Sequence, residues 1–173
     1  MKRLICAAIP SLILPTVALS AEGDQVRGDF AGEGISGTVA MEETASGVVL
    51  VEVTAKGLPE GEHGFHVHQV GKCDPDTAFK SAESHLARGL DHGIETAGGP
   101  HPGDMPNLHA QSDGVAHAEF FLRGFTLGTT GNQRILDDDG SAVIIHSGSD
   151  DYSTQPSGGS GDRIACAVLE PSA

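Results

Sequence analysis

The stretch Gly64–Cys73 reads GFHVHQVGKC, with His66 and His68 two residues apart. In a β-strand successive side chains alternate faces, so these two imidazoles point the same way and can share one metal ion. His63 has the opposite parity and shares its face with Phe65 and Val67; it reads as a buried structural imidazole, hydrogen-bonded to backbone. Further on, ESHLARGLDHGIETAGGPHPGD places His85, His92 and His101 at intervals of seven and nine, with Asp104 three residues beyond. Three imidazoles and a carboxylate make a closed four-coordinate shell, which suits Zn²⁺. His146 ends the run SAVIIH and can join His66 and His68 at a second ion. An imidazole-rich site without thiolate suits copper among the redox metals.

Such residues need elements to hold them. ISGTVAM and VVLVEV, separated by the turn-like EETASG, predict a hairpin. KGLPEGEHG is a second turn that leads into the first histidine pair. VAHAEFFL from Val115, SAVIIH from Ser141 and RIACAVLE from Arg163 are further strands, and SDG at Ser112 and DDDG at Asp137 are tight-turn signals. About eight short strands without a helical period predict an all-β domain, a sandwich or flattened barrel. Two segments exceed ordinary connections: Lys72–Met105, which carries three histidines, and Ser147–Asp162, SGSDDYSTQPSGGSGD. Loops of this length are usually functional or disordered. The second could pass as a flexible linker; the first could not. His109 and His117 match neither ligand set. The parity of His117 sends Ala116, Ala118 and Phe120 inward and leaves His117 outside.

One domain accounts for 173 residues, with 24 glycines, about twice an average share, and no tryptophan. Residues 1–21 read as a cleaved secretory signal: Lys2 and Arg3, then an apolar stretch from Leu4 to Leu19 broken by Pro10 and Pro15, then small residues with cleavage after Ser20 or Ala21. The apolar stretch is too short for a spanning helix, which needs about 20 apolar residues. Residues 22–173 then form the mature domain. Cys6 leaves with the signal, and Cys73 and Cys166 remain as an even pair that reads as a disulfide in an exported protein. Losing Lys2 and Arg3 takes the formal charge from −14 to −16. So acidic a chain lacks the basic patch that nucleic acid requires, and no membrane contact is expected once the signal is gone.

In combination, GEHGFHVHQVGKC, the spaced histidines ending in HPGDMPNL, and VIIHSGSDDYSTQPSGGSGDRIACAVLE resemble the bacterial exported copper/zinc superoxide dismutases over Gly34–Glu170. The resemblance implies an eight-stranded Greek-key β-barrel in the periplasm, with one copper and one zinc per subunit. It implies dismutation of superoxide to oxygen and hydrogen peroxide. His66, His68 and His146 match the copper ligands, His85 the histidine that bridges the two metals, and His92, His101 and Asp104 the remaining zinc ligands. Asp150 matches the outer carboxylate linking ligands of both metals, Arg163 the arginine that attracts and orients the anion, and Cys73 with Cys166 the family disulfide. Around the bridging histidine the family pattern is a glycine-then-histidine setting followed by Asn-Pro, whereas this chain reads Glu83-Ser84-His85-Leu86-Ala87, so a different local backbone is expected. Gln69 stands where an acid is common. A homodimer is compatible with this reading, but the sequence identifies no dimer face. The alternatives are an exported metal-storage or delivery protein without turnover, and a metal-free β-sandwich adhesion module. The second has no account of three loop histidines ending in His-x-x-Asp.

Overall fold

The structure is a computed structural model, and it describes residues 23–128 and 134–172. The segment read as a signal therefore lies outside the described residues. Eight strands follow one another: β1 (Gln25–Gly32), β2 (Ile35–Glu43), β3 (Val49–Lys56), β4 (Gly61–His68), β5 (Asp104–Ala110), β6 (Ala116–Leu122), β7 (Ala142–His146) and β8 (Arg163–Val168). A two-residue piece, β9 (Glu170–Pro171), pairs with β1. Hydrogen-bonded neighbours run β5-β4-β7-β8-β1-β2-β3-β6, all antiparallel. The ends of that order, β5 and β6, lie against each other and nearly close the barrel. The jumps from β4 to β7 and from β3 to β6 give the barrel its crossovers.

Alternation explains the strands. β1 buries Val26, Gly28 and Phe30 and exposes the residues between; β3 buries Val49, Val51, Val53 and Ala55 in the same way. Those residues, with Val39, Met41, Phe65, Val67, Leu108 and Ile145, form the barrel core. The expected hairpin is present, with Val39 opposite Val53 and Met41 opposite Val51. β1 carries too weak a signal to be read from sequence, because Gly28 and Gly32 interrupt its run. At Gly32 a Cβ would lie on the Ile164 carbonyl, so glycine there lets β1 approach β8. The long connection after Lys72 ends slightly earlier than expected, since β5 begins at Asp104. It holds two single 3₁₀ turns, Pro75–Thr77 and Lys80–Ala82.

β4 and β7 are buried on both faces. Their inward residues, Phe65, Val67, Val143 and Ile145, fill the barrel. On the outside, Ala142 and Ile144 pack with Phe79, Ala82 and Cys166 under the first long loop. Cys73 and Cys166 are joined by a disulfide across 93 residues, tying the start of that loop to β8. In the chain-entropy model so long a closed loop is worth about 4–5 kcal/mol. Unfolded, non-reduced protein should therefore contain no alkylatable thiol at either position, and reduction should lower its unfolding midpoint markedly. Alkylation of both cysteines without reductant would show two free thiols instead.

Candidate metal centre

The candidate metal-ligating side chains stand outside the barrel wall, between β4 and β7 and the two long loops. His66 and His68 leave β4 on the face opposite Phe65 and Val67, as the strand period requires. His146 ends β7, one residue past Ile145 of the core. His85 is brought from the loop by strand-like pairing: Gln69 N–H donates to Ser84 O at 3.0 Å and Leu86 N–H to Val67 O at 2.8 Å, which sets His85 beside His68.

One nitrogen from each of His66, His68, His85 and His146 falls in a group whose members all lie within 4.8 Å of one another. All four residues are buried. His66 Nδ1, His68 Nε2, His85 Nε2 and His146 Nε2 are also the buried side-chain nitrogens that lack a hydrogen-bond partner among the described residues. Their opposite nitrogens are engaged, which fixes the tautomers. His66 Nε2 meets Asp150 Oδ2 at 2.7 Å, His68 Nδ1 meets Glu83 O at 2.8 Å, and His146 Nδ1 meets Gly161 O at 3.4 Å. A carboxylate or carbonyl there only accepts, so the far nitrogens carry N–H and the inner ones present lone pairs. Four buried lone pairs facing one another are costly unless a cation sits among them.

Asp104 gathers a second set. His85 Nδ1, His92 Nδ1 and His101 Nδ1 lie 3.1, 3.0 and 3.1 Å from its Oδ1. Its Oδ2 accepts the backbone N–H groups of Gly93 and His101. Five donors exceed the roughly four lone-pair sites of a carboxylate. A divalent cation in place of the three imidazole protons removes the excess and leaves three nitrogens and one oxygen, the zinc donor set. His85 belongs to both groups, one through each ring nitrogen.

Outer contacts tie the two sets together. Asp150 Oδ1 meets His92 Nε2 at 3.0 Å while Oδ2 meets His66, so a single carboxylate orients a member of each group. Asp150 is itself held by Asn107 of β5, whose amide donates to Asp150 O at 2.9 Å and accepts Asp150 N–H at 2.8 Å. Gln155 makes the same two-point contact with the backbone of His92, at 2.9 and 2.8 Å. The segment 147–162 is thus no linker: it is stitched to the first loop and to β5. Gly158, at φ +67°, is required there, because a Cβ would overlap the Asp150 carboxylate. Gly93 at φ +91° similarly lets the first loop touch the Tyr152 carbonyl.

Burial sets the protonation of the ligands. It pushes His85 down to about 4, against the opposing hydrogen bond to Asp104, and His146 down to about 3, with His66 and His85 adding to the effect. His66 and His68 are lowered by burial as well. For Asp104 and Asp150 burial opposes ionisation, yet hydrogen bonds, led by those from His85 and His66 respectively, hold both carboxyls below the usual range. A lowered imidazole binds fewer protons folded than unfolded between its two values, so stability rises with pH across that window. The chelator-treated protein should therefore keep a constant urea midpoint above about pH 7. It should lose stability as pH falls from about 6.5 towards 4, on the order of 3 kcal/mol for His85 alone. The two carboxylates add losses only near and below about pH 4. An unchanged midpoint between pH 7.5 and 4.5 would show that folding does not hold these imidazoles neutral.

The family model described as copper/zinc superoxide dismutase (SODC) matches residues 35–169. The chain belongs to the copper/zinc superoxide dismutase family. Superoxide dismutase [Cu-Zn] 2 of Aquifex aeolicus is 38% identical over 172 residues, 98% of this chain and 99% of that protein. Superoxide dismutase [Cu-Zn] of Escherichia coli K12 is 37% identical over 186 residues, covering 98% and 100%. A crystal structure of a SOD-like protein from Bacillus subtilis superposes with TM-score 0.77 at 35% identity, covering 83% of this chain and 97% of that one. The family's metals are copper and zinc, and both donor sets fit them on their own chemistry.

The structure brings together all the residues that the sequence singled out for the two ions. His63 is structural, as expected: its ring nitrogens face His146 O at 2.7 Å and Pro59 O at 2.8 Å. His109 and His117 are exposed, and His117 meets Thr54 Oγ1. Arg163, opposite His146 in the β7–β8 ladder, donates to Phe79 O at 2.8 Å and to Glu83 O at 2.7 Å. Asn107, Gln155 and the Glu83 carbonyl were not anticipated. An amide has no preferred spacing from its partner along the chain, and a backbone carbonyl leaves no trace in residue type.

Proposed function

We propose that His66, His68, His85 and His146 hold copper, that His85, His92, His101 and Asp104 hold zinc, and that the enzyme uses this pair to dismute superoxide. Two superoxide anions and two protons give one oxygen and one hydrogen peroxide. The observation that carries the residue assignment is the group of four buried nitrogens without partners, sharing His85 with the overfilled Asp104 carboxylate. Bound there, copper supplies one-electron redox chemistry between Cu(II) and Cu(I), while zinc supplies fixed charge.

The chain's own residues do the rest. Arg163 presents a planar, permanently charged guanidinium to the anion. Its anchorage on Phe79 O and Glu83 O keeps it aimed rather than mobile. His85 Nε2 is the atom that can hold a proton whenever it is not ligating. Asp150 keeps Nε2–H on both His66 and His92, which orients one ring of each set. A storage protein would have no use for an arginine fixed in this way.

Residues 1–21 are removed on export, and the mature domain, residues 22–173, works in the periplasm. The Cys73–Cys166 bond supports that compartment, since disulfides persist in oxidising surroundings. Among the described residues no helix is long and apolar enough to cross a membrane.

Metal analysis of purified protein, paired with superoxide decay, tests the assignment. One copper and one zinc per chain are expected, with turnover requiring copper. His146→Ala should lose copper and activity and keep zinc. Zinc lost with copper retained would reverse the assignment of His146, and full activity without copper would overturn the reaction.

A further inference from the structure

Glu83 has an unusual backbone. Its φ of 59° and ψ of −149° lie at the edge of a region populated almost only by glycine. The surroundings hold it there. Its N–H donates to Lys80 O at 3.0 Å, and its carbonyl receives both His68 Nδ1 at 2.8 Å and Arg163 Nη2 at 2.7 Å. One strained peptide thus fixes the tautomer of a histidine and the aim of the arginine. A glycine would make the same three backbone contacts without the strain.

The side chain adds something that glycine would not. The Glu83 carboxylate is exposed, has no hydrogen bond or ion pair among the described residues, and belongs to the residue whose carbonyl holds Arg163 Nη2 at 2.7 Å. It puts a negative charge on the residue that anchors the guanidinium offered to the anion. The repulsion grows with the charge of the approaching ion, so a dianion is disfavoured more than a monoanion.

We propose that Glu83 is a specificity-determining residue of this enzyme: its carbonyl aims Arg163, and its carboxylate weakens the arginine's hold on anions, most strongly on those with two charges. The ligand class it selects against is small inorganic dianions, and the cost is a slower approach of superoxide itself. This rests on the reading of Arg163 as the residue that receives the anion.

The test uses the copper- and zinc-loaded enzyme and two variants, with sulfate as the dianion and chloride at matched ionic strength as the monoanion. Glu83→Gln removes the charge and keeps the side chain's bulk. Its second-order rate constant for superoxide should rise about two- to threefold at 0.01 M ionic strength. The gain should shrink above 0.1 M, where the Debye length falls to about 10 Å. Half-inhibition by sulfate should need about fivefold less salt than in the native enzyme, with a smaller change for chloride. Glu83→Gly should share those changes and also melt about 2–4 °C above Glu83→Gln, as relief of strain worth about 1 kcal/mol predicts. Native-like rate and sulfate response in Glu83→Gln would overturn the role of the carboxylate, and a lower melting temperature in Glu83→Gly would overturn the strain. If Arg163 variants still change the rate while Glu83→Gln does not, the proposal for Glu83 fails and the role of Arg163 stands. If Arg163 variants change nothing, the steering itself fails.

Discussion

Asp104→Ala should cost the protein its zinc while leaving most of its copper. The Asp104 carboxylate is the point on which three imidazole nitrogens converge, and its other oxygen caps two backbone N–H groups of the first long loop. Alanine removes one ligand, the negative charge that offsets a divalent ion, and both loop contacts. Outer partners of metal ligands are worth about 10–100-fold in affinity, so a direct ligand with this many contacts should cost at least about 100-fold. A hundredfold loss of binding corresponds to about 2.7 kcal/mol of linked stability, or about 5–10 °C in melting temperature for a domain of this size. His66, His68 and His146 are untouched, so copper should remain near stoichiometric. Equal zinc content and an unchanged melting temperature in Asp104→Ala would show that zinc does not bind here.

Arg163→Glu should lower the second-order rate for superoxide by about 10–100-fold, the range over which focused charge alters association. The mature chain is expected at −16, so the molecule as a whole repels its substrate, and the local field at the site must overcome that repulsion. In the proposed role Arg163, at the start of β8, supplies it while held by the Phe79 and Glu83 carbonyls of the first loop. Burial draws its pKa below the ordinary guanidinium value, and a guanidinium remains charged at neutral pH even so. Lys72, Lys80 and Arg88 lie in the same loop, but they read as solvated surface charges. Arg88 donates to the Arg134 carbonyl at 2.7 Å. Salt should slow the native enzyme, because the Debye length falls from about 30 Å at 0.01 M to about 10 Å at 0.1 M. In Arg163→Glu the same salt should slow it less, or speed it, since it now screens repulsion. Metal content measured on the same samples separates steering from loss of the ions. An unchanged rate and salt response would remove this role from Arg163.

Of these two residues, residue type and spacing pointed to Asp104, whereas the role of Arg163 came from the family resemblance alone; the clearest signal was periodicity. His66 and His68 are two apart in a strand whose period is two, so their shared face follows from residue numbers alone. Asp104 follows His101 by three in a loop otherwise too long for a compact domain. The disulfide was legible because the expected loss of the signal, with Cys6, leaves two cysteines. The barrel was legible where Val, Ile, Leu and Phe alternate, as in β3, and illegible in β1, where glycines replace inward side chains so that strands can approach closely.

Residue types and spacing therefore determined which side chains could hold metals, which strands would carry them, and which loops were too long to be idle. Only the tertiary structure decided which nitrogen of each imidazole faces its partners, because that depends on Asp150 Oδ2, Glu83 O and Gly161 O, all far away along the chain. It also decided that the Gly- and Ser-rich segment is a fixed wall, since the Asn107 amide reaches it from β5, 43 residues away, and its own Gln155 grips the backbone of His92, 63 residues away. And it kept His85 in place despite its unusual flanks, because pairing with Val67 and Gln69 on β4 and just past it, and not the neighbouring residues, sets the position of that ring. Contacts between distant segments form only once the barrel has closed. A local pattern encodes each partner's type and face, and it carries no record of which partner it will meet.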